Sequence, residues 1–154
     1  MILNLDLSNW HGIFKLLHSI ISVTLLLISF WVIMRSVQGV IKNKVYTKLD
    51  KFLSFAFIVN LYLQLIFGLI LFSNLGSSSA NGYLGGDLAS DMVSKRLWPI
   101  EHIVLMLFAL FIANLGLIIS IKSNVDRDKH QKILIYYMVS LFMIALSLSV
   151  NYFF

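Results

Sequence analysis

Residues 12–34 read GIFKLLHSIISVTLLLISFWVIM, an apolar run interrupted near its start by Lys15 and His18 and closed by Arg35. A bilayer core is roughly 30 Å thick, and a helix crosses it with about 20 residues. The run is long enough to span, and three more follow at 52–73, 97–121 and 133 to about 151. Backbone groups in lipid must bond within their own segment, and each run exceeds the length of a spanning strand, so all four are read as helices. Short connections between the first and second runs, and between the third and fourth, favour antiparallel neighbours. The expected fold is an all-α membrane protein, an up-down-up-down four-helix transmembrane bundle.

Composition agrees with this reading. Hydrophobic residues make up 59% of the 154-residue chain and its mean hydropathy is +0.88, far above a soluble domain. The four spans leave almost no chain for a soluble unit, so residues 1–154 read as one transmembrane domain. The start lacks a basic n-region and an A-x-A-like site, and the first span is expected to be retained. Cysteine is absent, which excludes disulfides, thiolate metal sites and covalent C-x-x-C-H haem attachment.

The net charge of +5 reflects membrane orientation rather than nucleic-acid binding. Arg35, Lys42, Lys44, Lys48 and Lys51 lie between spans one and two, and Lys122, Arg127, Lys129 and Lys132 between spans three and four. The positive-inside rule makes both loops cytoplasmic, with both termini and residues 74–96 outside. In a bacterium this is the inner membrane with periplasmic termini. Ser77-Ser78-Ser79-Ala80-Asn81-Gly82 and Gly85-Gly86 predict an irregular, flexible outer connection. Trp10, Tyr83 and Trp98 fit an outer aromatic belt, and Pro99 falls in the first turn of span three, where its missing N–H costs little.

Residues three and four apart share a helical stripe. The stripes rich in small and polar residues are Lys15, His18, Ser22, Leu25 and Ser29; Asn60, Gln64 and Gly68; His102, Met106, Ala109, Ala113 and Gly116; and Tyr136, Ser140, Met143 and Ser147. Membrane helices pack through such faces, so these four are expected to meet. His18 lies six positions below Gly12 and His102 five below Leu97, both roughly 8 to 9 Å deep at 1.5 Å per residue. Gly68 and Ser147 approach the same level and leave room for a flat ligand.

Ionisable residues within a span usually face the bundle interior and bind or relay something. Two level imidazoles suggest the axial ligands of a non-covalent haem b, with Lys15, Lys95 or Arg96 near the anionic propionates. The alternative is that His18 and His102 merely hydrogen-bond across helices, with Ser22 or Gln64 as partners, and that the three cations snorkel to the interface. Zinc fits less well, because it takes three or four protein ligands and this layer supplies two imidazoles, with Glu101 or His11 as the nearest additions. Glu101 reads as a solvated first-turn acid, His11 as interfacial and His130 as a surface residue. Asn60, Gln64 and Asn114 read as interhelical hydrogen-bonding groups. No phosphate loop, nucleophilic triad or nucleic-acid module is present.

The motif Arg96-Leu97-Trp98-Pro99-Ile100-Glu101-His102, followed by Met106 and Gly116, resembles the aromatic-x-x-Glu-His opening of span three in a bacterial family of small four-helix membrane proteins labelled cytochrome b. Leu17-His18-Ser19, the second-span segment from Gln64 to Phe72, and Lys129-His130-Gln131-Lys132 are similar to further motifs of that family, and the resemblance extends over most of the chain. The family commonly carries Leu-Arg-Trp shortly after its first His-Ser, where this chain has Ile21-Ser22-Val23. The resemblance implies haem b and electron transfer with a quinol or redox protein. The competing expectation is a non-catalytic accessory or scaffold subunit of a larger inner-membrane complex; a small channel or metal carrier is a third.

Because the chain has no cysteine, the expected topology is directly measurable. In intact cells a membrane-impermeant maleimide should label Ser78→Cys and spare Lys44→Cys until lysis. The reverse pattern would invert the orientation.

Overall fold

The computed structural model describes the backbone of residues 10–83 and 89–153, and the side chains of residues 10, 12–73 and 100–149. Four helices account for it: α1 (Trp10–Lys42), α2 (Lys48–Tyr83), α3 (Ala89–Ile121) and α4 (Asp126–Phe153). Each contains a segment long and apolar enough to cross a membrane. Neighbours pack in a closed ring, α1 on α2, α2 on α3, α3 on α4 and α4 on α1. The α3–α4 seam is the most extensive and the α2–α3 seam the least.

Local chemistry fixes the connection between α1 and α2. Asn43 adopts φ 48°, and the Lys44 N–H donates to the Gly39 carbonyl at 3.2 Å, a Schellman-type stop in which Asn takes the left-handed position. Thr47 then opens α2 as one half of a capping box. Its backbone N–H donates to the Asp50 carboxylate at 2.8 Å, while its hydroxyl accepts from the Asp50 N–H at 3.4 Å. Asp50 also pairs with Arg35 Nε at 2.5 Å, so the last turns of α1 are tied to the first turn of α2.

The core lies where small residues let backbones approach. Ala109 and Ala113 of α3 are completely buried, and the Ser140 hydroxyl of α4 donates to the Ala109 carbonyl at 2.9 Å. Tyr137 of α4 crosses the bundle, stacks on Phe57 with ring centroids 4.5 Å apart, and donates to the Ser54 carbonyl of α2 at 2.8 Å. That bond joins helices that are not neighbours in the ring, and both rings are fully buried. Large apolar side chains such as Phe30, Trp31, Phe52, Phe111 and Phe142 point outward, as a lipid-facing surface requires.

The expected inward stripes meet almost throughout. Leu25, Ser29, Asn60, Gln64, Met106, Ala109, Ala113, Gly116, Ser140 and Ser147 are buried, and Lys15 is exposed. Three expectations fail. Residues 74–83 and 89–96 continue α2 and α3 as helical backbone instead of forming an irregular connection. Extending an existing helix avoids the cost of nucleation, which offsets the weak propensity of the Ser/Gly run. Residues 84–88 lie outside the described part. His130, expected at the surface, is 2% exposed, because the missing side chain of Gly39 admits its ring against α1. Asn114 bonds to the Leu110 carbonyl of its own helix at 2.8 Å, not across helices.

Gly39 and Gly116 are close-packing positions: an added methyl would collide with the His130 ring and with the Tyr136 side chain. Gly39→Ala and Gly116→Ala should each destabilise the detergent-solubilised protein by about 1–3 kcal/mol in thermal or denaturant unfolding. Gly68→Ala, whose methyl would meet only the His18 ring at an ordinary 3.4 Å, should stay near wild type.

Candidate functional site

One end of the bundle carries the α1–α2 and α3–α4 connections; the histidine layer lies toward the other. His18 enters from α1 and His102 from α3, helices on opposite corners of the ring, and both are half-buried. Both lie toward the bundle end opposite the α1–α2 and α3–α4 connections.

Gln64 of α2 reaches His18 from the neighbouring helix. Its Nε2 lies 3.1 Å from His18 Nε2 and donates to the Ser22 hydroxyl at 2.5 Å, and that hydroxyl donates to the His18 carbonyl at 2.8 Å. In the tautomer with its proton on Nδ1, His18 accepts from the amide at Nε2. One turn deeper, Asn60 Nδ2 donates to Thr24 Oγ1 at 2.8 Å, a second bridge between α1 and α2. Gly68 lies one turn from Gln64 toward the helix end, and the His18 ring fills the space over it. Ser147 of α4 is buried and bonds to its own helix at the Ile144 carbonyl.

The layer fits a haem iron in the kind and number of its donors, two imidazoles from different helices. His18 Nδ1 and Gln64 Oε1 are buried without hydrogen-bond partners, so the layer has unused polar capacity. His18 Nε2 is engaged by Gln64, and ligation through that nitrogen requires the amide to turn away. Among the described residues no group of three or more His, Asp or Glu is placed to hold a metal ion. Lys15 and Glu101 are exposed above the layer. The side chains of His11, Lys95 and Arg96 lie outside the described residues.

A second polar cluster, at the connection end, is one the sequence reading passes over. Arg35 and Asp50 pair there; Tyr46 Oη lies 3.2 Å from Ser54 Oγ; and the Ser120 hydroxyl of α3 donates to the Lys129 carbonyl of α4 at 3.1 Å. Burial pushes the Tyr46 phenol up, which keeps it protonated and able to donate. His130 meets the Tyr46 ring edge-on at 4.9 Å between centroids, and both its ring nitrogens are buried without partners. Thr47-x-x-Asp50 is the one sequence signal that could have located this cluster.

No family model, curated protein or solved structure matches this chain.

The His18–Gln64 contact should appear as a coupling energy. A double-mutant cycle with His18→Ala and Gln64→Ala in denaturant unfolding is expected to give about 0.6 kcal/mol and at most about 1.7, the average and maximum for interhelical bonds in membranes. Strict additivity would mean that the two side chains do not interact.

Proposed function

We propose that this chain is an integral membrane electron-transfer protein of the b-type cytochrome kind, with one non-covalent haem b held by His18 and His102. The observation that carries the reading is the pair of half-buried imidazoles toward one end of the bundle, carried by helices at opposite corners of the ring. The motifs around His18 and His102 that resemble the cytochrome b family support it further.

The protein's own groups have separable tasks. His18 and His102 supply neutral imidazole nitrogens, and Gln64 restrains the His18 ring from α2. Buried Met106 and Ala109, deeper on α3, keep water from the layer's inner side. Lys15, with Lys95 and Arg96, offers positive charge at the level where propionates would emerge. When bound, a bis-histidine haem supplies a one-electron couple whose potential follows the burial and polarity of its surroundings.

Orientation by the positive-inside rule places the basic connections in the cytoplasm and the histidine layer near the periplasmic face of a bacterial inner membrane. His130 is the one described histidine at the opposite end, so the chain supplies no second pair there. Electron exchange is accordingly confined to the outer side, with a quinol or a redox protein as partner.

One observation favours a second reading. The Gln64 bridge gives His18 an interhelical partner without any cofactor, which suits an accessory or scaffold subunit of a larger membrane complex. An absorption spectrum of the purified protein, oxidised and dithionite-reduced, separates the two. The haem reading expects a Soret band that shifts on reduction and is lost in both His18→Ala and His102→Ala. A colourless protein after haem supplementation, or an unchanged haem spectrum in His102→Ala, refutes it.

A further inference from the structure

At the connection end, the loosely packed α2–α3 seam opens into a groove of about 300 Å³ lined by Lys48, Lys51, Phe52, Phe55, Leu117 and Ile121. Its wall is apolar, with Phe52, Phe55 and Ile121 well exposed, and its cations come from one helical face, three residues apart. Asp50 stands between these lysines in sequence but is buried and paired with Arg35. Lys48 and Lys51 make no ion pair among the described residues, so their charge is left for an external anion.

An apolar trough beneath two uncompensated ammonium groups, placed where a span meets the membrane surface, has the chemistry of one ligand class. Basic pockets between transmembrane helices bind anionic lipid headgroups, and the hydrocarbon wall accepts the attached chain. We propose that this groove holds one anionic phospholipid from the adjacent leaflet. Its phosphate meets Lys48 and Lys51, and one acyl chain lies against Phe52, Phe55, Leu117 and Ile121. The site is independent of the histidine layer, from which it is separated by most of the length of the bundle.

Native mass spectrometry of the full chain, released from nanodiscs containing equal amounts of phosphatidylglycerol and phosphatidylcholine, tests this. Wild type should retain one phosphatidylglycerol per chain, preferred over phosphatidylcholine by about thirtyfold, as two lysines near a membrane surface imply. The double variant Lys48→Gln/Lys51→Gln changes only exposed side chains and should fall close to parity between the two lipids. Leu117→Trp, which puts bulk into the trough and leaves both lysines in place, should lose retained lipid of either kind. Equal retention of the two lipids by wild type, an undiminished preference in the lysine variant, displacement of the lipid by soluble glycerophosphate, or a second copy of the chain bound in place of lipid would each overturn the proposal.

Discussion

An N–H or O–H left without a partner in hydrocarbon costs several kcal/mol, and that penalty sets the order in which this bundle is assembled. Backbone groups are satisfied first, inside each helix. Hydroxyls come next, and most turn back onto their own helix, as Ser19, Ser22, Thr24, Ser29 and Ser147 do. The few polar groups that reach across helices then hold the helices together: Tyr137 to Ser54, Ser140 to Ala109, Asn60 to Thr24 and Gln64 to His18 and Ser22. In lipid, apolar contact alone gives helices little reason to prefer each other over acyl chains. These cross-links, together with close approach at Ala109, Ala113 and Gly116, provide the reason.

The two ends of the bundle treat polarity differently. At the connection end, Asp50 gathers Arg35 and Thr47 into one capped, charge-paired joint, and Ser120 and Lys129 do the corresponding work between α3 and α4. Its charged groups answer one another, while both ring nitrogens of the enclosed His130 are left without partners. The histidine layer likewise keeps unused capacity, at His18 Nδ1 and Gln64 Oε1. What sets that layer apart is that its two half-buried imidazoles come from different helices.

Much of the site was readable from spacing. His18 and Ser22 share a stripe with Leu25 and Ser29, and Gln64 lies four residues from Asn60, so geometry at 3.6 residues per turn places them inward before any packing is known. What the pattern hides is any contact set by a single close approach. His130 sits in a charged segment, Asp126-Arg127-Asp128-Lys129, and reads as solvated until Gly39 on a different helix opens space for its ring. Tyr137 looks like its neighbour Tyr136, yet it alone crosses the core to Ser54. Asn114 has the same amide as Asn60, but it donates to the Leu110 carbonyl of its own helix.

Four membrane-length helices, basic connections at one end and two histidines toward the other were legible in the residues alone, because hydropathy, charge and helical period belong to each segment separately. Packing between helices settled the rest: the Gln64 contact with His18, the enclosure of His130, the pairing of Asp50 with Arg35, and the groove of the α2–α3 seam beside Lys48 and Lys51. Those outcomes depend on how closely two helices approach at one residue, and that distance is set by the summed packing of all four.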